Sequence, residues 1–170
     1  MALRLHRCPV VVAINGIAAG AGCNLALAGD FVLASEEAGL LQAFARIGLI
    51  PDCGGTWLLP RLIGEARARQ LAFLAEPLSA RQAEAWGLIN RAVPADRLLG
   101  EAQALAERLA TGPTRAYQLM KRAFAESWSN GYSHQLGLEA ELQRLAGAST
   151  DFAEGVAAFR AKRTPGFTGC

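Results

Sequence analysis

The sequence predicts an α/β protein: a partial β/α core over residues 1–95, followed by an α-helical region over residues 96–170. Three observations predict it. Val10–Ile14 (V-V-V-A-I) and Phe31–Ala34 (F-V-L-A) are short, continuous apolar runs, the pattern of strands covered on both faces. Charge is uneven: residues 1–60 hold only Arg4, Arg7, Asp30, Glu36, Glu37, Arg46 and Asp52, and residues 61–170 hold all the rest. From Glu65 onward, helical periodicity and capping residues take over. The first part reads as buried core, the second as amphipathic surface helices.

Taken in order, Val10–Ile14 leads through a glycine-alanine turn into C-N-L-A-L-A, a small apolar helix over residues 23–28. Phe31–Ala34 is the second strand, and Ile47–Ile50 is expected to be a short third one. After the turn P-D-C-G-G, Thr56–Ile63 reads as helical, with a kink expected at Pro60. Ser79-A-R-Gln82 is a capping box that opens a helix through Trp86, which Gly87 ends. Leu88–Val93 fits a short strand, and Leu98–Leu109 is amphipathic. Pro113 suits the first position of a helix that runs to about Ser127, with Leu119, Met120, Ala123 and Phe124 at helical spacing. Tyr132–Leu145 is another helix. Asp151-F-A-Glu154 is expected to cap the last one, which ends near Arg163 ahead of Pro165.

Composition narrows the function classes. At 170 residues the chain has room for one domain whose core needs no staples. With 52% hydrophobic and 19% charged residues it is not a disordered chain, and no apolar run is long enough to span a membrane. A net charge of +2 is too mild for a nucleic-acid binder and suits a small anionic ligand. Cys8, Cys23, Cys53 and Cys170 form no C-x-x-C and stand at no zinc-ligand spacing with His6 or His134. They read as free thiols in a reducing cytoplasm, with no metal site. The start of the chain, with Arg4, His6 and Arg7, lacks the apolar stretch of a signal peptide.

Two segments carry candidate chemistry. Gly16-I-A-A-Gly20-Ala21-Gly22 joins a buried strand to a helix amino terminus, where small side chains admit a ligand to the backbone. Free N–H groups and the helix dipole there favour negative charge. Such a turn can bind phosphate or stabilise an enolate as it forms, or it can simply pack a helix closely on a strand. The dinucleotide pattern G-x-G-x-x-G fails, because Leu25 stands at its third glycine. The second segment is Asp52, set among apolar and small residues with Trp57 a helical turn on. A desolvated carboxylate there suits a general base that moves a proton on and off carbon. The competing role is a helix N-cap ahead of G-G-T. Cys53 beside it is a nucleophile candidate without a nearby histidine, and so reads as a packed or bystander thiol.

Four strings, in order, resemble the crotonase (enoyl-CoA hydratase/isomerase) superfamily: P-V-V-V-A-I-N-G-I-A-A-G-A-G-C-N-L-A-L-A-G-D from Pro9, I-G-L-I-P-D-C-G-G-T-W-L-L-P-R-L-I-G from Ile47, L-S-A-R-Q-A-E-A-W-G-L-I-N-R-A-V from Leu78, and E-G-V-A-A-F-R-A-K-R-T-P-G-F from Glu154. The resemblance covers nearly the whole chain from Pro9. It implies a ββα superhelical core, here its C-terminal part, followed by helices that build a homotrimer or a dimer of trimers. It also implies an acyl-CoA thioester as substrate, with coenzyme A part of that substrate and no separate cofactor.

The site residues follow by position. The backbone N–H that meets the thioester oxygen falls on Ala21. The two glutamates of true hydratases fall on Asn24 and Phe44, neither of which is an acid or a base. Asp52 falls where isomerase-type members carry an aspartate. N-L-A-L-A, Q-A-F, I-G-L-I-P-D and A-E-A-W-G-L-I resemble in particular the family's ring-epoxide isomerases of phenylacetate degradation. Ala18, Ala19, Gly20, Phe44, Ile47 and Trp57 are the candidates to shape a dry acyl pocket, ordinary core packing being the other reading of Phe44 and Trp57. Asn24 is a candidate to bind substrate or to sit in a buried polar network. Phe159 and Lys162, with Arg163, match the element that contacts the CoA adenine and 3′-phosphate.

The expected activity is isomerisation of an acyl-CoA, by ring-epoxide opening or by double-bond migration. The alternatives are a hydratase-like member in name only and a non-catalytic CoA-binding or assembly module; a nucleotide-binding protein is more remote. In the family, the first third of the domain supplies the opening turns, the other oxyanion donor and much of the CoA groove. Here Met1–Arg7 leads straight into the signature strand. The 170 residues by themselves are therefore expected to leave an apolar sheet edge unpaired and to be poorly soluble or inactive.

Overall fold

The computed structural model describes residues 3–4 and 6–170. They divide into two compact units, Val10–Ala104 and Leu105–Cys170, the second together with the described residues of the first nine. The division falls inside the helix Leu98–Ala110. The reason is local: Leu98 and Ala102 are buried, and Glu101 pairs with Arg91 at 2.6 Å and Arg97 at 2.8 Å, so the first turns of that helix belong to the core unit.

The core unit alternates strands between two sheets. Strand β1 (Val11–Ile14) enters one sheet, and β2 (Ile17–Ala19) enters the other after a break at Asn15 and Gly16. Helix α1 (Ala21–Leu27) then returns the chain for β3 (Phe31–Ser35) and β4 (Gly39–Leu41). β3 lies parallel to β1 with Val11 opposite Phe31, and β4 lies parallel to β2 with Ile17 opposite Gly39. Each pass of the chain thus adds one strand to each sheet and one helix between passes, which is the ββα superhelix. A 3₁₀ turn (Ala43–Ile47), α2 (Gly55–Leu74), β5 (Leu78–Ser79), α3 (Ala80–Ala85) and β6 (Arg91–Val93) follow. The sheets are ordered β1-β3-β6 and β2-β4-β5, leaving β1 and β2 at edges among the described residues. Val32, Ala34, Leu40, Leu59, Ile63 and Ile89 join the core between them.

Several expectations change. The strand that follows Phe31–Ser35 is Gly39–Leu41 (β4), not Ile47–Ile50, and Ile17–Ala19 (β2) is a strand the sequence did not foretell. Ile47 and Ile50 are instead largely exposed, and the chain there runs from the 3₁₀ turn into a loop. The irregular point in α2 is Gly64, at φ 76° and ψ 160°, rather than Pro60. A glycine accepts that backbone without a Cβ penalty, whereas a proline's fixed φ is itself close to helical, so Pro60 removes one ladder donor inside α2 without breaking the helix. Ser79 does cap α3, accepting the Gln82 N–H at 3.3 Å, and Gly87 ends it at φ 76°.

The helical unit holds the end of α4 (Leu98–Ala110), then α5 (Thr114–Ser127), α6 (Tyr132–Gly147) and α7 (Thr150–Ala161). Pro113 is the residue before α5 rather than its first helical one. Leu119 of α5 packs on Leu138 and Leu142 of α6, while Met120 and Phe124 remain exposed. The cap of α7 is Ser149, whose Oγ accepts the Phe152 N–H at 3.1 Å, not Asp151. Asp151 is buried and holds the C-terminal segment: it accepts from the Thr168 N–H at 2.7 Å and the Gly169 N–H at 3.0 Å. No helix among the described residues is long and apolar enough to cross a membrane.

Candidate active site

Two turns of the core unit carry the predicted chemistry. The first opens α1. Gly20 is its N-cap at φ 53°, a left-handed backbone that favours glycine, and its N–H donates to the Leu41 carbonyl of β4 at 2.8 Å. The next N–H groups, from Ala21 to Cys23, have no acceptor one turn earlier in the helix. Asn24 is the first residue to close the ladder, donating to the Gly20 carbonyl at 3.2 Å. The Ala21 N–H therefore stands at the positive end of a seven-residue helix, on a half-buried residue. Phe44 is buried from the 3₁₀ turn, and a methyl group placed on Gly20 would meet its ring at 3.7 Å. Ala18 and Ala19 occupy β2 just before, half-buried and exposed respectively.

The second turn opens α2. Cys53 at φ 46° and Gly54 at φ 86° are two left-handed residues in a row. They fold the chain so that the Asp52 carbonyl accepts the Gly55 N–H at 2.8 Å. Gly54 is the N-cap and no side chain caps α2, so Asp52 does not serve that role. Its side chain is exposed and meets the thiol of Cys53, whose pKa is raised by the hydrogen bond to Asp52 and by that residue's charge. The apolar enclosure expected around Asp52 is thus not supplied within this chain. Cys53 is correspondingly a weaker nucleophile than an ordinary thiol.

Asn24 ties the two turns together. Fully buried, its Nδ2 donates to the Asp52 carbonyl at 2.9 Å and its Oδ1 accepts from Gln42 Nε2 at 2.9 Å. It is the buried polar clasp of the two sequence readings, and its amide is not free for substrate. Gln42, which the sequence marks only as part of Q-A-F and not as a site residue, is a second buried amide: it is 2% exposed and donates also to Cys23 Sγ at 3.4 Å. The signal available was a lone amide between the apolar L-L and A-F. Burial pushes the Cys23 thiol up to about 11.

Trp57 is not a core residue. It is partly exposed, and the Arg61 guanidinium lies over its ring at 4.1 Å. Ile47 is 74% exposed and encloses nothing in this chain. In the helical unit, Phe159 is exposed on α7 and Lys162 is its C-cap at φ 53°. Arg163 is committed to Glu154, with Nη1 to Oε1 at 2.6 Å and Nη2 to Oε2 at 2.8 Å. No group of three His, Cys, Asp or Glu side chains able to hold a metal occurs among the described residues.

Alternating sheets joined by a glycine-opened helix make this a crotonase fold. An enoyl-CoA hydratase from Polaromonas sp. JS666 superimposes with a TM-score of 0.94 at 36% identity, over 98% of this chain and 65% of that one. The family model described as "Enoyl-CoA hydratase/isomerase" matches residues 1–170, and the chain belongs to that family. It is 54% identical over 161 residues to the 1,2-epoxyphenylacetyl-CoA isomerase of Escherichia coli strain K12, and 52% identical to a "Probable enoyl-CoA hydratase" of Rhodobacter capsulatus. These matches take in 95% of this chain but 62% and 63% of the relatives, so the chain spans under two thirds of their length.

Proposed function

We propose that this chain carries the proton-transfer centre of an acyl-CoA isomerase, acting on a ring epoxide (1,2-epoxyphenylacetyl-CoA to oxepin-CoA) or on an enoyl-CoA double bond. The observation that carries the reading is the Asn24 clasp, which binds the Asp52 turn to the helix start that presents Ala21. The Ala21 N–H, with a second donor, polarises the thioester carbonyl and holds the enolate oxygen that forms. Asp52, exposed and able to meet a ligand, takes a proton next to that carbonyl and returns it elsewhere. Ala19 and Gly20 let the thioester approach the backbone, and Phe44 closes the floor beneath Gly20.

Hydration needs a second acid or base over the substrate. The positions that would supply the hydratase glutamates are Asn24, buried and doubly bonded, and Phe44. This favours isomerisation over the hydratase activity in the Rhodobacter relative's name, and agrees with the Escherichia coli relative's name. In the same reading Phe159 and Lys162 meet the CoA nucleotide, and no further cofactor is used. The exposed Met120, Phe124 and Leu136 of α5 and α6 supply an apolar face for a homotrimer or a dimer of trimers. Free thiols at Cys8, Cys23, Cys53 and Cys170 suit a cytoplasmic location.

Solvent-proton exchange at the α-carbon of phenylacetyl-CoA, followed by NMR, tests the reading. Asp52→Asn should bind the thioester yet lose exchange. Normal exchange in that variant would remove Asp52 as the base.

A further inference from the structure

We propose that Asn24 and Gln42 are positioning residues that set the distance and angle between the Ala21 N–H and the Asp52 carboxylate; the proposal rests on the isomerase reading above. Asn24 acts on both turns. Its backbone N–H closes the first turn of α1 on Gly20, shaping the helix start that presents Ala21. Its side chain holds the Asp52 carbonyl at 2.9 Å, one residue ahead of a non-glycine in the left-handed region. Such a backbone persists only where its surroundings fix it. Here the Asp52 carbonyl is gripped twice, by the Gly55 N–H and by Asn24.

Gln42 decides which way the Asn24 amide faces. By donating to Oδ1 it leaves Nδ2 to face the Asp52 carbonyl. A flipped Asn24 would set oxygen against carbonyl oxygen and amide against amide. Packing alone does not account for Gln42. Its Oε1 is buried and has no partner among the described residues, a cost to stability that the bond to Asn24 has to offset. Locally unfavourable choices of this kind concentrate where function requires them. Gly55 completes the arrangement: an added Cβ would lie within 2.9 Å of all three end atoms of the Asn24 amide, so only glycine lets α2 come this close.

The experiment compares Gln42→Met, Asn24→Leu and the double variant with wild type, reading α-proton exchange, thioester affinity and thermal unfolding. A loose reacting geometry costs catalysis far more than binding. Asn24→Leu should slow exchange about 100-fold, with the thioester Kd kept within about twofold. Gln42→Met exchanges an orphaned Gln42 Oε1 for an orphaned Asn24 Oδ1, so it should slow exchange about tenfold with the thioester Kd kept within about twofold, a split between catalysis and binding that a merely structural role would not produce. The double variant should be no slower than Asn24→Leu, because both act on one chain of contacts. Folded Gln42→Met and Asn24→Leu that exchange at the wild-type rate would overturn the proposal. Asp52→Asn separates this from failure of the isomerase reading. If it loses exchange while the other variants keep theirs, positioning alone is wrong. If it exchanges normally, the reading and the positioning role fall together.

Discussion

Arg163 grips both carboxylate oxygens of Glu154, and the Gly166 N–H adds a third contact to the same group at 2.8 Å. The pair fastens the chain beyond α7 back onto that helix. The guanidinium first, and then the Gly166 N–H, hold the Glu154 carboxyl down to about 2, against 4.5 for the free group. The folded pKa lies below the unfolded one, so the stabilisation is fully present above pH 4.5. It declines as pH falls and is gone near pH 2. Unfolding temperatures of wild type and Glu154→Gln should differ most at neutral pH and converge between those two values. A gap that stays constant across that range would show that the carboxylate charge is not what holds the segment.

The cysteines should separate by environment. Cys8 and Cys170 are exposed, Cys23 is buried with its thiol pushed up to about 11, and Cys53 is exposed but held protonated by Asp52. Alkylation of the native protein at pH 8, read by peptide mass spectrometry, should label Cys8 and Cys170 first, Cys53 later and Cys23 only after unfolding. Asp52→Asn should speed labelling of Cys53, because the thiolate is the reactive form and its neighbouring charge is removed. Unchanged labelling of Cys53 would show that the carboxylate does not govern this thiol.

Two glycines should respond to alanine in opposite directions. At Gly55 the new methyl would lie 2.3 Å from Asn24 Nδ2, within a buried network that has no room to yield. Gly55→Ala should destabilise by about 1–3 kcal/mol, the usual cost of overpacking. Gly137 sits mid-way along α6 on an exposed face, with nothing within 4 Å of an added Cβ. Gly137→Ala should stabilise by roughly 0.5–1 kcal/mol through helix propensity. Denaturation midpoints of the two variants test both signs.

Local pattern foretold the elements that local forces decide. The apolar runs at Val10 and Phe31 did become parallel strands, and Ser79 and Gly87 do bound α3, because strand burial and helix capping are written within a few residues. The misplaced features depend on distant partners. β4 is a strand because β2 and β5 flank it, a pairing that the short Gly39–Leu41 run cannot advertise. Asp151 looked like a cap from its spacing to Glu154, and only the returning C-terminal segment gives it other work. At the candidate site, the roles given to Ala21 and Asp52 rest on family resemblance, while the glycine-opened helix start at Ala21 and the turn at Asp52 were legible through turn chemistry. Gln42 was not, because its meaning lies in Asn24, eighteen residues away.

That returning segment yields a last expectation. Asp151 is buried on the first turn of α7 and accepts the Thr168 and Gly169 N–H groups, while the Asp151 N–H and the Thr150 hydroxyl both donate to the Cys170 carbonyl, at 3.1 and 2.9 Å. The tail is thus closed like a clasp onto the start of the helix. Asp151→Ala would leave the two amides without their acceptor, a loss of about 1–3 kcal/mol. It should also raise hydrogen exchange at Thr168 and Gly169 well before exchange rises in the α5–α6 pair, whose Leu119, Leu138 and Leu142 core does not involve the tail. Uniform acceleration across the helical unit would instead mean that the tail and the helix pair unfold as one cooperative body.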